Sequence, residues 1–134
     1  MAIDPVNIIA KKINELKLSP HIIKELVIGD FGCGKGKLSE LLKEDKMCSF
    51  DHYNIITDRI IACNMKSVPL KEGELDIAVF PLSLMGINWS DYVVEAKRCL
   101  AKYGIMIITE TTKSLSQRLS GLHKFIKEQG KYLF

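Results

Sequence analysis

The sequence predicts an α/β domain, a doubly wound and mostly parallel sheet with helices on both faces. Three observations carry this. Short apolar runs of strand type recur along the chain: "ELVIGDF", "MCSFD", "RIIACN", "ELDIAVFP" and "GIMIITET". Helical patterns stand among them. The first strand run also opens into a glycine-rich turn, Gly32, Gly34 and Gly36, that leads into a helix.

Each element has its own justification. Asp4-Pro5 reads as an N-cap followed by the first helical position. Val6, Ile9, Ile13 and Leu16 then recur at helical spacing, so residues 5–17 are expected to form an amphipathic helix. "KLSPHI" breaks it. "ELVIGDF" is the fully apolar type of strand that is buried on both faces of a parallel sheet. Residues 36–44 are expected to be helical. "MCSFD" is a second strand ending at Asp51, and "RIIACN" a third ending at Asn64. A fourth strand lies near 75–80. "SDYVVEAKRCLA" is an amphipathic helix with Ser90 as N-cap. "GIMIITET" is the fifth strand, and residues 113–129 form a further helix that Gly130 ends. "KYLF" then begins a sixth extended segment. Sheets of this type usually finish with a paired strand, so the terminal pair is expected to be missing or shortened.

Bulk properties narrow the function. With 134 residues, 47% of them apolar and 26% charged, the chain suits one domain, 1–134, with its own core. A net charge of +3 is too small to argue nucleic-acid binding by itself. No apolar run approaches the roughly 20 residues of a membrane span, and "MAIDPVNIIAKKINELK" lacks signal-peptide organisation. Cys33, Cys48, Cys63 and Cys99 make no C-x-x-C pair. Neither a zinc site nor a redox couple is expected, and reduced thiols fit a cytosolic or nuclear protein.

Open α/β sheets bind ligands at the carboxyl ends of their strands, where strand order reverses. The loop from Gly32 to Gly36 therefore belongs to the expected site. A nicotinamide dinucleotide prefers G-x-G-x-x-G, with its pyrophosphate on the helix N-terminus. Here the spacing is G-x-G-x-G, preceded by the acid of "DFGCG". That variant suits S-adenosylmethionine (SAM), which has no phosphate. Asp51 follows Gly32 by 19 residues and would face ribose hydroxyls. Asn64 can bond an adenine's exocyclic amine, and Met65 can pack on the ring. "FPLSLMG" would lie beside the methyl group and the acceptor. Singly, each feature has a plainer reading: a tight turn for the glycines, a helix cap for Asp51, a turn start for Asn64, a core position for Met65. Their order on successive strand ends favours the cofactor. Lys35 and Lys37 are expected to point to solvent, with guidance of an anionic substrate as the alternative.

Several stretches resemble one family. "DPVNIIAKKI", "DFGCGKGKLSELL", "SFD", "DRIIACNMKSVPL", "ELDIAVFPLSLMGINWSDYVVEAKRCL" and "GIMIITET" are similar to the ribosomal RNA-processing protein 8 (nucleomethylin-like) family, over nearly the whole chain. The most specific piece is "VFPLSLMGINWSDYVVEAKRCL". The resemblance implies a Rossmann-like, class I SAM-dependent methyltransferase that methylates N1 of an adenine in large-subunit ribosomal RNA, leaving S-adenosylhomocysteine. It implies a role in ribosomal RNA processing, in the nucleus and nucleolus; without it, the cytoplasm is expected. Carried over by position, the cofactor contacts are Gly32, Cys33 and Gly34 in the loop, Asp51, Asn64 with Met65, and Pro81 after the fourth strand. The family usually has Asp at Asn64 and often Cys at Pro81, and its "KPGG" turn is reduced here to Lys102-Tyr103-Gly104. The family's N-terminal segment, rich in Tyr, His and Trp, is expected to be absent. Ribosomal RNA is the implied partner; no membrane or metal is expected, and the oligomeric state is left open.

Adenine N1 has a free lone pair, so no strong general base is needed. The absence of an N/D-P-P-Y/F motif, used on exocyclic amines, agrees with this. The base must leave its stack to react. Ser83 or Asn88 could orient it and Trp89 could stack on it, though structural roles suit all three. Two other readings compete: a SAM-dependent methyltransferase of another substrate, and a non-catalytic SAM-binding or scaffold module.

Overall fold

In the computed structural model, residues 4–20, 22, 24–33, 36–42, 46–51, 60–81 and 89–109 are described. Helix α1 (Pro5–Lys17) is followed by β1 (Val27–Phe31), α2 (Lys37–Leu41), β2 (Lys46–Asp51), β3 (Ile60–Ala62), β4 (Leu75–Pro81), α3 (Trp89–Cys99) and β5 (Leu100–Thr109). The strands form one sheet in the order β3-β2-β1-β4-β5, and every pairing is parallel. Strand order reverses at β1, which lies between β2 and β4.

The α1 boundaries match the sequence reading, and the cap explains why. Asp4 is extended, and its Oδ1 accepts the N–H of Val6 at 2.9 Å. Lys37 of α2 bonds the other carboxylate oxygen, tying the two helices together. Lys37 faces solvent as expected while making this pairing, and Lys35 lies outside the described residues. At the amino ends of the strands, Asp76 Oδ2 accepts the N–H of Val27 at 2.9 Å, and Lys24 pairs with Oδ1 at 2.9 Å.

Helices cover both faces, as a doubly wound sheet requires. On one face Ile28, Ile77, Val79 and Ile107 pack with Ile9 and Ile13 of α1 and Leu38 of α2. On the other, Phe31, Phe50, Phe80, Met106 and Ile108 pack with Tyr92, Val93, Ala96 and Cys99 of α3. The Phe31 ring lies 5.4 Å from that of Phe50 and 5.1 Å from that of Phe80, so three neighbouring strands share one aromatic floor.

Four boundaries differ from expectation. Of the helix expected over 36–44, α2 covers Lys37–Leu41: Gly36, at φ 80°, is its N-cap, Leu42 (φ -118°, ψ 50°) closes it, and residues 43–44 lie outside the described residues. β3 ends at Ala62 rather than Asn64, although the Cys63 N–H still bonds the Asp51 carbonyl at 2.9 Å. α3 begins at Trp89, so Ser90 lies inside its first turn. β5 begins at Leu100, directly after α3, and is irregular at its start. Leu75 pairs with Leu100 but Ile77 pairs with Ile105, so residues 101–104 bulge and Tyr103 adopts φ 69°. The helix expected over 113–129 and the sixth strand lie outside the described residues.

Candidate cofactor site

The order β3-β2-β1-β4 brings the predicted residues to one edge. Gly32 and Cys33 follow β1, Asp51 ends β2, Asn64 and Met65 follow β3, and Pro81 ends β4 beside Thr109 of β5. Gly34, Ser83 and Asn88 lie outside the described residues, as does the side chain of Trp89.

The glycine loop does its work differently from the simplest expectation. The N–H groups of Gly32 and Cys33 both bond the Phe50 carbonyl, each at 2.9 Å, and the Gly36 N–H bonds the Cys33 carbonyl at 3.0 Å. These donors are spent on the protein itself. What Gly32 contributes is its φ of 87°, which an L side chain rarely adopts, and a backbone without bulk at the strand end.

Asp30, the last residue but one of β1, is 1% exposed, and its Oδ1 has no hydrogen-bond partner among the described residues. Burial, and then the neighbouring Asp51 charge, push its carboxyl up to about 7. Burial also leads at Cys33, where Asp30 and Asp51 add to it, and the thiol is pushed up to about 12. Cys33 therefore keeps its proton at neutral pH and is no nucleophile. Two neighbouring carboxyl groups, which also disfavour ionisation of the Cys33 thiol, make this edge a place that asks for positive charge.

Asn64 is exposed, and its Oδ1 accepts the Lys66 N–H at 3.0 Å, so the residue does start a turn. Met65 is 4% exposed and packs in the aromatic-floored core, as a core position would. Neither fact removes a ligand role: Asn64 keeps its amide donors, and Met65 lies one residue away at the same strand end.

Glu95 is a residue that the sequence reading passed over. It is buried in α3, and its Oε2 accepts the Val68 N–H at 2.6 Å. Arg98 donates to both of its oxygens, at 2.5 and 2.8 Å, and to the Val68 carbonyl at 3.3 Å. The Arg98 bonds hold the Glu95 carboxyl below the usual range, and the Arg98 guanidinium is raised in turn. This clamp fixes the segment that carries Asn64 and Met65. The sequence held one sign of it: an acid within the apolar stripe of Tyr92, Val93, Ala96 and Cys99, three residues before an Arg.

A cavity of about 500 Å3 lies at the opposite, amino ends of the strands, between Leu16, Ile22, Leu26 and Ile105. It holds none of the predicted residues. Strand-end chemistry, not concavity, marks the site. Among the described residues no group of three metal-ligating side chains occurs, and no helix is long and apolar enough to cross a membrane.

A hypothetical-methyltransferase family model matches residues 2–134. The chain belongs to this methyltransferase family. Ribosomal RNA-processing protein 8 of Drosophila melanogaster is 37% identical over 92% of the chain, and that of Dictyostelium discoideum 33% over 94%. A Schizosaccharomyces pombe relative named 25S rRNA (adenine(645)-N(1))-methyltransferase is 32% identical over 69%. The chain spans only 30–32% of the length of these three relatives. Solved structures agree on the fold. A SAM-dependent methyltransferase of Thermotoga maritima, described as a possible histamine N-methyltransferase, matches with a TM-score of 0.59 at 17% identity, covering 95% of this chain and 69% of that one. A second methyltransferase fold, from Methanococcus maripaludis, matches with 0.59 at 18%, covering 94% and 68%. The parallel five-stranded sheet thus has the fold of these solved methyltransferases, as the alternation of strands and helices in the sequence predicts.

Proposed function

We propose that this methyltransferase chain binds SAM at the carboxyl edge of its sheet and serves the methylation of N1 of an adenine in large-subunit ribosomal RNA, in the nucleolus. The observation that carries the cofactor reading is the buried, half-unsatisfied Asp30 beside Asp51 and the bare turn at Gly32. A site with two neighbouring carboxyl groups, whose described loop N–H groups at Gly32, Cys33 and Gly36 are already bonded within the protein, fits a cationic ligand better than a dinucleotide.

The residues present fit SAM. Asp51 would hold the ribose hydroxyls, Asn64 and Met65 would flank the adenine, and the turn from Gly32 through Cys33 to Gly34 would lie along the amino-acid part. Pro81 would border the methyl group and has no N–H to donate there. Bound SAM supplies an electrophilic sulfonium methyl. Positioning is then most of what the protein must add, and the Glu95–Arg98 clamp and the aromatic floor keep the strand ends rigid. Adenine N1 needs no base to free its lone pair, in keeping with Cys33 held as a thiol. The substrate reading rests on the relatives' names and on "FPLSLMGINW" as the rim of the acceptor pocket.

The test is transfer of labelled methyl from SAM to ribosomal RNA, with mass mapping of 1-methyladenosine in cells with and without the gene. Loss of one 1-methyladenosine with the gene supports the reading. Unchanged methylation, with SAM still bound, overturns the substrate and leaves the other-substrate and scaffold readings.

A further inference from the structure

Two carboxylates end neighbouring strands on one face of the sheet. Asp30 lies two residues beyond Ile28, and Asp51 four beyond Met47; both apolar residues face the α1–α2 layer. Side chains alternate along a strand, so both carboxylates lie on that face. Asp30 pairs in register with Ser49, two residues before Asp51.

Among the described residues, the surroundings of Asp30 offer no compensation. From β2 comes Asp51, a like charge, and from the loop after β1 comes the Cys33 thiol. Cys63, after β3, acts on Cys33 rather than on Asp30. β4 contributes the apolar Val79 in register. From α2, Lys37 is held by Asp4 at the start of α1. A buried carboxyl with an empty acceptor site and a like charge beside it is most stable as the neutral acid.

We propose that Asp30 holds a proton in the free protein and gives it up when the cationic cofactor binds, so that cofactor capture is coupled to proton release. The bond broken is the Asp30 O–H, the proton leaves to solvent, and the carboxylate faces the incoming positive charge. This rests on the SAM reading above. Its consequence is that acid competes with the cofactor for Asp30, and a neutral analogue of the same shape gains nothing from the residue. Burial pushes this carboxyl up to about 7, which sets the competition near neutral pH.

The test is calorimetry of SAM binding in buffers of different ionisation enthalpy, on the chain and on Asp30→Asn. The cofactor's own amino group titrates near pH 8 in both proteins, so the difference between them isolates Asp30. At about pH 6 the chain should release nearly one proton more than the variant. Below neutrality its affinity should rise by up to about tenfold per pH unit relative to the variant. SAM binding by both with equal proton counts overturns the proposal and leaves the cofactor reading intact; no SAM binding by the chain at any pH overturns both. Should the variant not fold, carbon NMR of the Asp30 carboxyl serves instead. It should titrate near neutrality in the free chain and shift into the ordinary carboxylate range with SAM. An ordinary midpoint in the free chain overturns the proposal.

Discussion

Glu95 of α3 accepts the backbone N–H of Val68 at 2.6 Å, across 27 residues of sequence. With Arg98 on both of its oxygens, this one carboxylate joins the helix to the segment that follows β3. Glu95→Ala leaves a buried N–H unmet and Arg98 without its partner, at a cost of about 2–4 kcal/mol in denaturant unfolding. Glu95→Gln keeps an acceptor for Val68 and should cost less than half as much. The folded carboxyl is held low, so its contribution is complete above the ordinary carboxylate range and fades as pH falls through it. Acid should therefore destabilise the chain more steeply than the Gln variant.

Asp51 ends β2 where its carbonyl takes the Cys63 N–H at 2.9 Å, so its backbone is fixed whatever its side chain does. Asp51→Asn should leave unfolding within about 1 kcal/mol yet weaken SAM binding about 10- to 100-fold, the value of hydrogen bonds to a charged acceptor. Titration calorimetry with NAD as control reads both ligands; unchanged SAM affinity would remove Asp51 from the site.

Asp30 has the opposite pH sign to Glu95. Its folded carboxyl is raised to about 7. The native state therefore binds the extra proton between the ordinary Asp range and neutrality, and stability falls as pH rises through that window. Above neutrality the full cost, of the order of a few kcal/mol, is present. Asp30→Asn removes it. The variant should be the more stable protein at about pH 8 and show a flatter pH profile, measured by urea unfolding of the free chain.

Tyr103 is 71% exposed at φ 69°, in the bulge that opens β5. A side chain there costs roughly 1–2 kcal/mol, and a β-branched one more. Tyr103→Gly should be neutral to stabilising by up to about 1 kcal/mol, since glycine's added chain entropy offsets part of the relief. Tyr103→Val should be destabilising. A thermal melt of the pair separates them.

The parallel sheet was legible because its signals are local. Asp4-Pro5 with Ile9 and Ile13 set α1, and the strand runs are short, apolar and bounded. Strand ends were less so: β3 stops before Asn64 because that side chain bonds the Lys66 N–H and turns the chain. Gly36 caps α2 rather than joining it because a left-handed residue cannot sit within a helix. The candidate cofactor residues could be assigned to strand ends by strand order, but the raised carboxyl of Asp30 could not be read there. That rise depends on burial and on Asp51, which only the folded sheet brings near. The Glu95 clamp was hidden for the same reason, its partner Val68 being distant in sequence.

The central claim is that the β1, β2 and β3 ends together hold SAM. A crystal structure with S-adenosylhomocysteine tests it most directly. The ribose should bond the Asp51 carboxylate, the adenine should lie between Met65 and Asn64, and the amino-acid part should run along Gly32 toward Asp30. A ligand bound in the cavity at the amino ends of the strands, or no ligand at saturating concentration, would contradict the account.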